Sequence, residues 1–369
     1  MKLLIVTPIF PPRTGGPATY VWELTKRLKE KHTITIICFS PNPKSPDSVI
    51  VHSVPEYGNS LVRQLRLLKS VVDIGKGSDC VYIQGPLVVG LVTTTVGKLM
   101  GKRVVLKFVG DEGWESAQIS GSDNRSLEEY LKHPRKLKQK IKLTLENLSL
   151  HFANQIITPS QYLKDILTTH YQVNPKKVAL IPNAVETEVI DTNIKKKKYQ
   201  LITVGRLVPW KNIDKIMKAI ALARTRYPWK LVVVGEGPEE LKLKKVAKSL
   251  KGDGWITFTS RVSQEDTLKK IAESQKLILY SDYEGLSHTL IEALLLNIPI
   301  ITSDIRANRE TVETHATFVP LNNISALHHA INQPVKLSPK AQLFALDQYS
   351  WKSHINSLLK CLKTYEKEN

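Results

Sequence analysis

Two carboxylates stand in the stretch Tyr280 to Pro299, which reads Y-S-D-Y-E-G-L-S-H-T-L-I-E-A-L-L-L-N-I-P. The apolar residues from Leu277 to Tyr280 suit a buried strand, and Ser287 to about Leu296 suits an apolar helix. A short polar loop carrying Glu284 and Gly285 joins them, and Glu292 lies within the first turns of the helix. Both carboxylates can therefore face the crevice beyond the strand's carboxyl end, where open α/β sheets bind ligands. The amides of Gly285, Leu286 and Ser287 are helix N-terminal donors, suited to an anion such as a diphosphate. Two acceptors beside an anion site fit a ligand that carries hydroxyls as well as phosphate. On this stretch alone the alternative stands level: Glu284 capping the helix and Glu292 as a solvated helix residue.

Cations follow a second strand end. V-G-R-L-V-P-W-K-N places Gly205 at a turn and Arg206 and Lys211 just beyond it, around a helix start near Asn212. Two cations and a set of free amides make a diphosphate clamp. V-V-V-G-E-G-P-E repeats the glycine turn at Gly235. Near the start, Lys2 to Thr7 reads as a strand, Pro8 to Gly16 as a loop, and a helix begins at Pro17, so Gly15 and Gly16 sit at a helix N-terminus over a sheet edge. The spacing is not G-x-G-x-x-G, which argues against a nicotinamide cofactor. A fourth candidate is V-G-D-E-G-W-E, Val109 to Glu115, with three acids and an exposed-looking Trp114 after another strand. Asp111 is the favoured site residue there, with a turn-forming role as the alternative.

The elements that must position these residues recur along the chain. Strands are expected at Thr33 to Phe39, Cys80 to Ile83, Val104 to Phe108, Gln155 to Thr158 and Val178 to Ile181, and again at Gln200 to Val204, Lys230 to Val234, Ile256 to Thr259 and Ile298 to Thr302. Helical stretches separate most of them, so the fold class is α/β with doubly wound parallel sheets. A length of 369 residues suits two domains. The run N-I-K-K-K-K-Y, residues 193–199, is the natural linker between a first domain of 1–192 and a second of 200–349, and an amphipathic helix from Ser350 closes the chain at 350–369.

Composition narrows the partners. Lys and Arg number 53 against 34 acids, a formal charge of +19, heavier before Gln200 than after it. Such a charge favours phosphate-bearing partners. Lys132 to Lys142, with leucines and Ile141 at helical spacing, and Leu61 to Lys69, with Arg63 and Arg66, read as basic faces over core stripes or as in-plane helices on an anionic bilayer. Cys38, Cys80 and Cys361 show neither disulfide nor metal-site spacing and fit a reducing compartment. The N-terminus is too poor in apolar residues for a signal peptide, and Cys80 to Gly97 is broken by Gly and Pro rather than membrane-spanning. A nucleic-acid-binding role, which the charge invites, lacks the interleaved aromatics and recognisable module of such proteins.

Taken together, Gly15-Gly16, P-N-A-V-E at Pro182 to Glu186, G-R-L with Lys211, G-E-G-P at Gly235 to Pro238, and E-G-L-S-H-T-L-I-E-A-L from Glu284 resemble glycosyltransferase family 4, over the whole chain. The resemblance implies the GT-B fold: two Rossmann-like domains facing across a cleft, with the last helix returning to the first. It implies a retaining transferase that takes a sugar from a nucleotide-sugar, which is a substrate, with neither cofactor nor metal. Position by position it implies Arg206 and Lys211 on the donor diphosphate, together with Gly16 and the Leu286 and Ser287 amides, Glu292 on the ribose hydroxyls, and Glu284 against the transferred sugar. Gly15, Gly205, Gly235 and Gly285 would shape the donor-site loops. The family's histidine after the strand ending at Phe108 is missing here, with Asp111 as its expected substitute, and Ala184 replaces a glycine in P-N-A-V-E. The acceptor expected is a saccharide or lipid-linked saccharide of envelope polysaccharide assembly, and the place expected is cytoplasmic, including the inner face of an anionic membrane. A sugar-nucleotide epimerase of the same fold and a catalytically silent nucleotide-sugar binder are the competing readings.

Overall fold

The computed structural model describes residues 1–13, 15–133, 136–186, 194–260, 262–335 and 340–363. Residue 193, which opens the expected linker, and residues 364–369 of the expected last segment lie outside them. The chain forms two parallel sheets. The first contains β1 (Lys2–Thr7), β2 (Thr33–Cys38), β3 (Ile50–Ser53), β4 (Cys80–Gln84), β5 (Arg103–Lys107), β6 (Gln155–Thr158) and β7 (Val178–Leu180), in the spatial order 3-2-1-4-5-6-7. The second contains β8 (Gln200–Val204), β9 (Lys230–Val234), β10 (Ile256–Thr259), β11 (Lys276–Leu279), β12 (Ile300–Ser303) and β13 (Thr317–Val319), in the order 10-9-8-11-12-13.

The central strands are β-branched or leucine runs because both of their faces are covered by helices. In β1 every residue after Lys2 is buried, and β4 and β11 are buried throughout. Helices are required as crossovers, since parallel neighbours cannot be joined by a tight turn. The winding direction reverses between β1 and β4 in the first sheet and between β8 and β11 in the second. Crevices open at those switch points beyond the strands' carboxyl ends. The loops that follow β1, β8 and β11 carry Gly15 and Gly16, Arg206, and Glu284 respectively.

The two strands absent from the sequence expectation are β3 and β13, both short outer strands. The helix Trp351–Lys363 packs on β4 and β5, burying Leu358 and Leu362 in the core beneath β1, and Arg103 Nε donates to the Cys361 carbonyl at 2.8 Å.

The basic helical stretch at Lys132 to Lys142 is not continuous. One helix ends at Lys132 and another runs Leu137–Phe152, capped at Lys136. Its polarity is the reverse of a core stripe: Leu137, Ile141 and Leu148 are exposed, while Gln139, Glu146 and Ser149 are buried. Glu146 turns inward because the Gly113 amide and the Tyr171 hydroxyl satisfy it there. The helix Ser60–Gly75 likewise exposes Leu61, Leu65 and Leu68. Among the described residues no helix is long and apolar enough to cross a membrane.

Candidate active site

The loop after β11 meets the loop after β5 across a cleft. At Gly285 a Cβ would lie 2.4 Å from the Val109 carbonyl oxygen. Backbone cannot yield at that distance, so glycine is required for the second domain's loop to touch the first domain's. Gly16, by contrast, faces open space, with no atom within 4 Å of where its Cβ would be. The helix Gly16–Leu28 thus presents its first turn to the cleft without a side chain in the way.

Glu284 and Lys211 are brought together. The ammonium donates to the carboxylate, with side-chain exposures of only 16% and 10%. Glu284 is therefore not the cap of the following helix. That cap is Ser287, whose hydroxyl accepts from the Leu290 amide at the start of the helix His288–Leu295. Among the described residues no acceptor is recorded for the amides of Gly285, Leu286 and Ser287, and Gly285 and Leu286 line the cavity below. Arg206 is exposed and close enough to Glu115 to pull on its carboxyl, and the turn before it is set by Gly235, whose Cβ would collide with the Gly205 carbonyl at 2.0 Å. Glu292 is 8% exposed, and among the described residues no cation pairs with it. Burial alone lifts its carboxyl from 4.5 to about 7.

Two cavities flank this centre. One, of about 240 Å3, is lined by Gly16, Tyr20, Lys107, Glu115, Glu284 and Leu286 among others. The second, of about 420 Å3, lies beyond Trp114, Trp210 and Tyr283 and reaches Arg125 and Arg306. The aromatic cluster between them spans the cleft, with ring centroids 5.2 Å apart for Trp114 and Trp210 and 4.7 Å for Trp114 and Tyr283. Trp114 is 2% exposed and donates its indole N–H to the Arg125 carbonyl at 3.0 Å, so the expectation of an exposed ring is corrected.

Asp111 is placed behind the cavities, not in either wall. It is 1% exposed, caps the helix Glu112–Ile119 by accepting from the Trp114 amide, and accepts from the Tyr171 hydroxyl. The Tyr171 oxygen also lies 2.8 Å from Glu146, and its single proton serves one carboxyl while the proton the pair retains bonds the other. Burial raises both carboxyls, and their mutual repulsion pushes Glu146 further, so the pair retains a proton well above the ordinary carboxylate range. The structure assigns Asp111 to holding the helix that aims Glu115 into the cleft. Glu115 is half-buried and lines the smaller cavity with Glu284 and Tyr283. A Cβ at Gly110 would lie 3.0 Å from Glu115 Oε1 and 2.8 Å from Tyr283 Oη, which fixes both groups at one backbone turn. Burial raises the Glu115 carboxyl to about 7, against the pull of Arg206 and Lys211. Of the acids in this loop, the sequence favours Asp111, while the structure has Glu115 in the cavity wall. The i, i+4 spacing from Asp111 to Glu115, one carboxylate capping and one a turn further along, was the available signal.

The comparisons with known proteins agree on the class. Residues 14–189 match the model described as Glycosyltransferase Family 4, and residues 185–349 match Glycosyl transferases group 1. An uncharacterized glycosyltransferase of Methanocaldococcus jannaschii is 28% identical over 85% of this chain and 83% of its own length. An O-antigen chain mannosyltransferase of Salmonella typhimurium is 26% identical over 47% of this chain and 49% of its own. An Anabaena protein solved in complex with UDP shares the fold with a TM-score of 0.74 at 16% identity, over 98% of this chain and 99% of that one.

Proposed function

The chain belongs to the family 4-type glycosyltransferases of the GT-B fold, and from that premise we propose that it moves a sugar from a nucleotide-sugar to a saccharide or lipid-linked acceptor with retention of anomeric configuration. The observation that carries this reading is the Lys211 to Glu284 pair beside the unpartnered amides of Gly285 to Ser287. A departing nucleoside diphosphate concentrates charge on its terminal phosphate. Lys211, Arg206 and those amides are fixed donors for that charge, the role a metal ion plays elsewhere. Diphosphate draws Lys211 from Glu284, which frees the carboxylate for the transferred sugar. Among the described residues no hydrogen-bond donor is seen on the buried Glu292 carboxyl, and ribose hydroxyls would supply such donors. Glu115, across the cleft with its carboxyl raised to about 7, would accept a hydrogen bond from the acceptor hydroxyl in its ionised form.

The complex of an Anabaena relative in fold with UDP supports a nucleotide donor, and the O-antigen mannosyltransferase supports envelope polysaccharide as the product. The acceptor's carrier is read from the outer face of the first domain. The helices Ser60–Gly75, Gly90–Leu99 and Leu137–Phe152 pack side by side and expose Leu61, Leu65, Leu99, Leu137 and Ile141 among Lys69, Lys98, Lys138 and Lys140. Leucines ringed by lysines suit the cytoplasmic surface of an anionic bilayer.

Turnover decides the reading. Release of nucleoside diphosphate from the nucleotide-sugar should be lost in Lys211→Ala and in Glu284→Ala with folding intact, and product NMR should show the donor's anomeric configuration. Unchanged turnover in either variant removes the assignment. Co-sedimentation with vesicles containing phosphatidylglycerol should fall when Leu61, Leu65, Leu137 and Ile141 are replaced by serine, and binding without regard to anionic lipid contradicts the membrane placement.

A further inference from the structure

A buried ammonium without a counter-charge lies in the smaller cavity. Lys107 ends β5, is 2% exposed and holds its Nζ 3.2 Å from the centroid of the Tyr20 ring. Among the described residues no hydrogen-bond acceptor reaches that Nζ and no carboxylate pairs with it. Gln84, its register partner on β4 and 5% exposed, has only the Tyr82 hydroxyl near its side-chain amide, and among the described residues its Nε2 makes no well-aligned hydrogen bond. Both side chains line the cavity. Tyr20 offers Lys107 only its ring face, since its hydroxyl is engaged with Tyr82 at 3.0 Å and His354 at 2.8 Å. Burial lowers the Lys107 amine well below the usual lysine range, with no opposing charge to restore it.

We propose that Lys107 and Gln84 form a recognition site for the carboxylate of an acidic sugar, a uronic acid, presented in the cleft by the acceptor or by the donor. The proposal rests on the reading of this cleft as a sugar-transfer site. Unmade donors in a buried pocket are costly, and a ligand that brings acceptors recovers that cost. Two donors side by side on adjacent strands match the two coplanar oxygens of a carboxylate. The Lys107 amine, held protonated once a carboxylate enters, matches one negative charge, where a phosphate monoester would bring nearly two. The site differs from the diphosphate clamp: its donors come from β4 and β5 of the first domain, and Arg206 and Lys211 from the second.

The test is calorimetric titration of the full chain with glucuronate, glucose and inorganic phosphate, in the presence of saturating UDP, and separately with UDP-glucuronate and UDP-glucose. Glucuronate, free or as the UDP-sugar, is expected to bind at least about tenfold more tightly than its glucose counterpart, the worth of a charge-assisted hydrogen bond. A preference shown by free glucuronate assigns the acid to the acceptor, and one shown only by UDP-glucuronate assigns it to the donor. Lys107→Met and Gln84→Leu should each erase the preference and leave UDP affinity unchanged. Lys211→Ala should do the reverse, so failure of the clamp and failure of this site are separable. Equal binding of glucose and glucuronate by the wild-type chain overturns the proposal without any variant. So does a Lys107→Met chain that loses UDP, which would place the amine on the diphosphate, or phosphate binding as tightly as glucuronate.

Discussion

Glu284→Gln separates the two duties of the Lys211 to Glu284 pair. Lys211 is held by Glu284, both side chains are less than a fifth exposed, and a diphosphate would have to compete for the ammonium. Removing the charge at position 284 leaves Lys211 with only a neutral amide and frees it for the ligand. A pair at this depth contributes on the order of 1 kcal/mol net, at the top of the surface range and below a fully dry one. Release of that amount tightens nucleoside diphosphate by about fivefold, since about 1.4 kcal/mol is tenfold in Kd. The same substitution removes the group proposed to face the transferred sugar, so turnover should fall by about 100-fold or more. The assay is calorimetry with whichever of UDP, GDP and ADP stabilises the chain, beside steady-state nucleotide release. Weaker or unchanged diphosphate affinity in Glu284→Gln refutes the reasoning, because it means that Lys211 does not exchange one anion for another.

Glu292→Gln tests the unpaired carboxyl. Its folded pKa, about 7, is raised above the ordinary 4.5, so the folded state binds the extra proton and stability falls as pH rises through that window. At 1.36 kcal/mol per pH unit the cost at pH 8 is roughly 3 kcal/mol. The glutamine chain should therefore melt higher than wild type at pH 8 and no higher at pH 4.5, and an equal gain at both values would refute the burial argument. Asp111→Ala should lower stability by about 1 to 2 kcal/mol through loss of the cap, whereas Glu115→Gln, which removes a carboxyl that burial raises to about 7, should melt no lower than wild type and cut turnover. The opposite pattern would return Asp111 to the cleft. Gly285→Ala should cost about 1 to 3 kcal/mol or open the cleft, because Val109 backbone stands where the methyl would go. Gly16→Ala should melt like wild type yet bind nucleotide more weakly, and equal nucleotide affinity would mean that no ligand approaches that turn.

The parallel sheets were legible because their central strands are apolar on both faces, as in L-L-I-V from Leu3 and L-V-V-V from Leu231. The outer strands were not. Ile50–Ser53 has one half-buried residue and three exposed, so no hydrophobic pattern marks it. Residues fixed by local geometry, such as Glu284 in its loop and Glu292 in its helix, could be placed near a strand end from spacing. Which distant residue each meets could not, since Lys211 and Glu284 lie 73 residues apart and come together only because β8 and β11 are neighbours in the second sheet. Lys107 was hidden for a related reason: a lysine at a strand end reads as surface, and only the return of the last helix against Tyr20 encloses it. The leucines of Leu137–Phe152 misled in the other direction, because helical spacing does not say which face is inward when Glu146 and Gln139 find buried partners.

The central claim is that this cleft holds a nucleoside diphosphate through Lys211. A thermal-shift screen of UDP, GDP, ADP and their sugars, on the wild-type chain and on Lys211→Ala, tests it most directly. At about 100 times its Kd a ligand of the folded state adds roughly 2.7 kcal/mol of stability. One nucleotide is predicted to raise the melting temperature of the wild type and to do so far less in Lys211→Ala. No shift with any of them, or a shift that survives the substitution intact, would contradict the account.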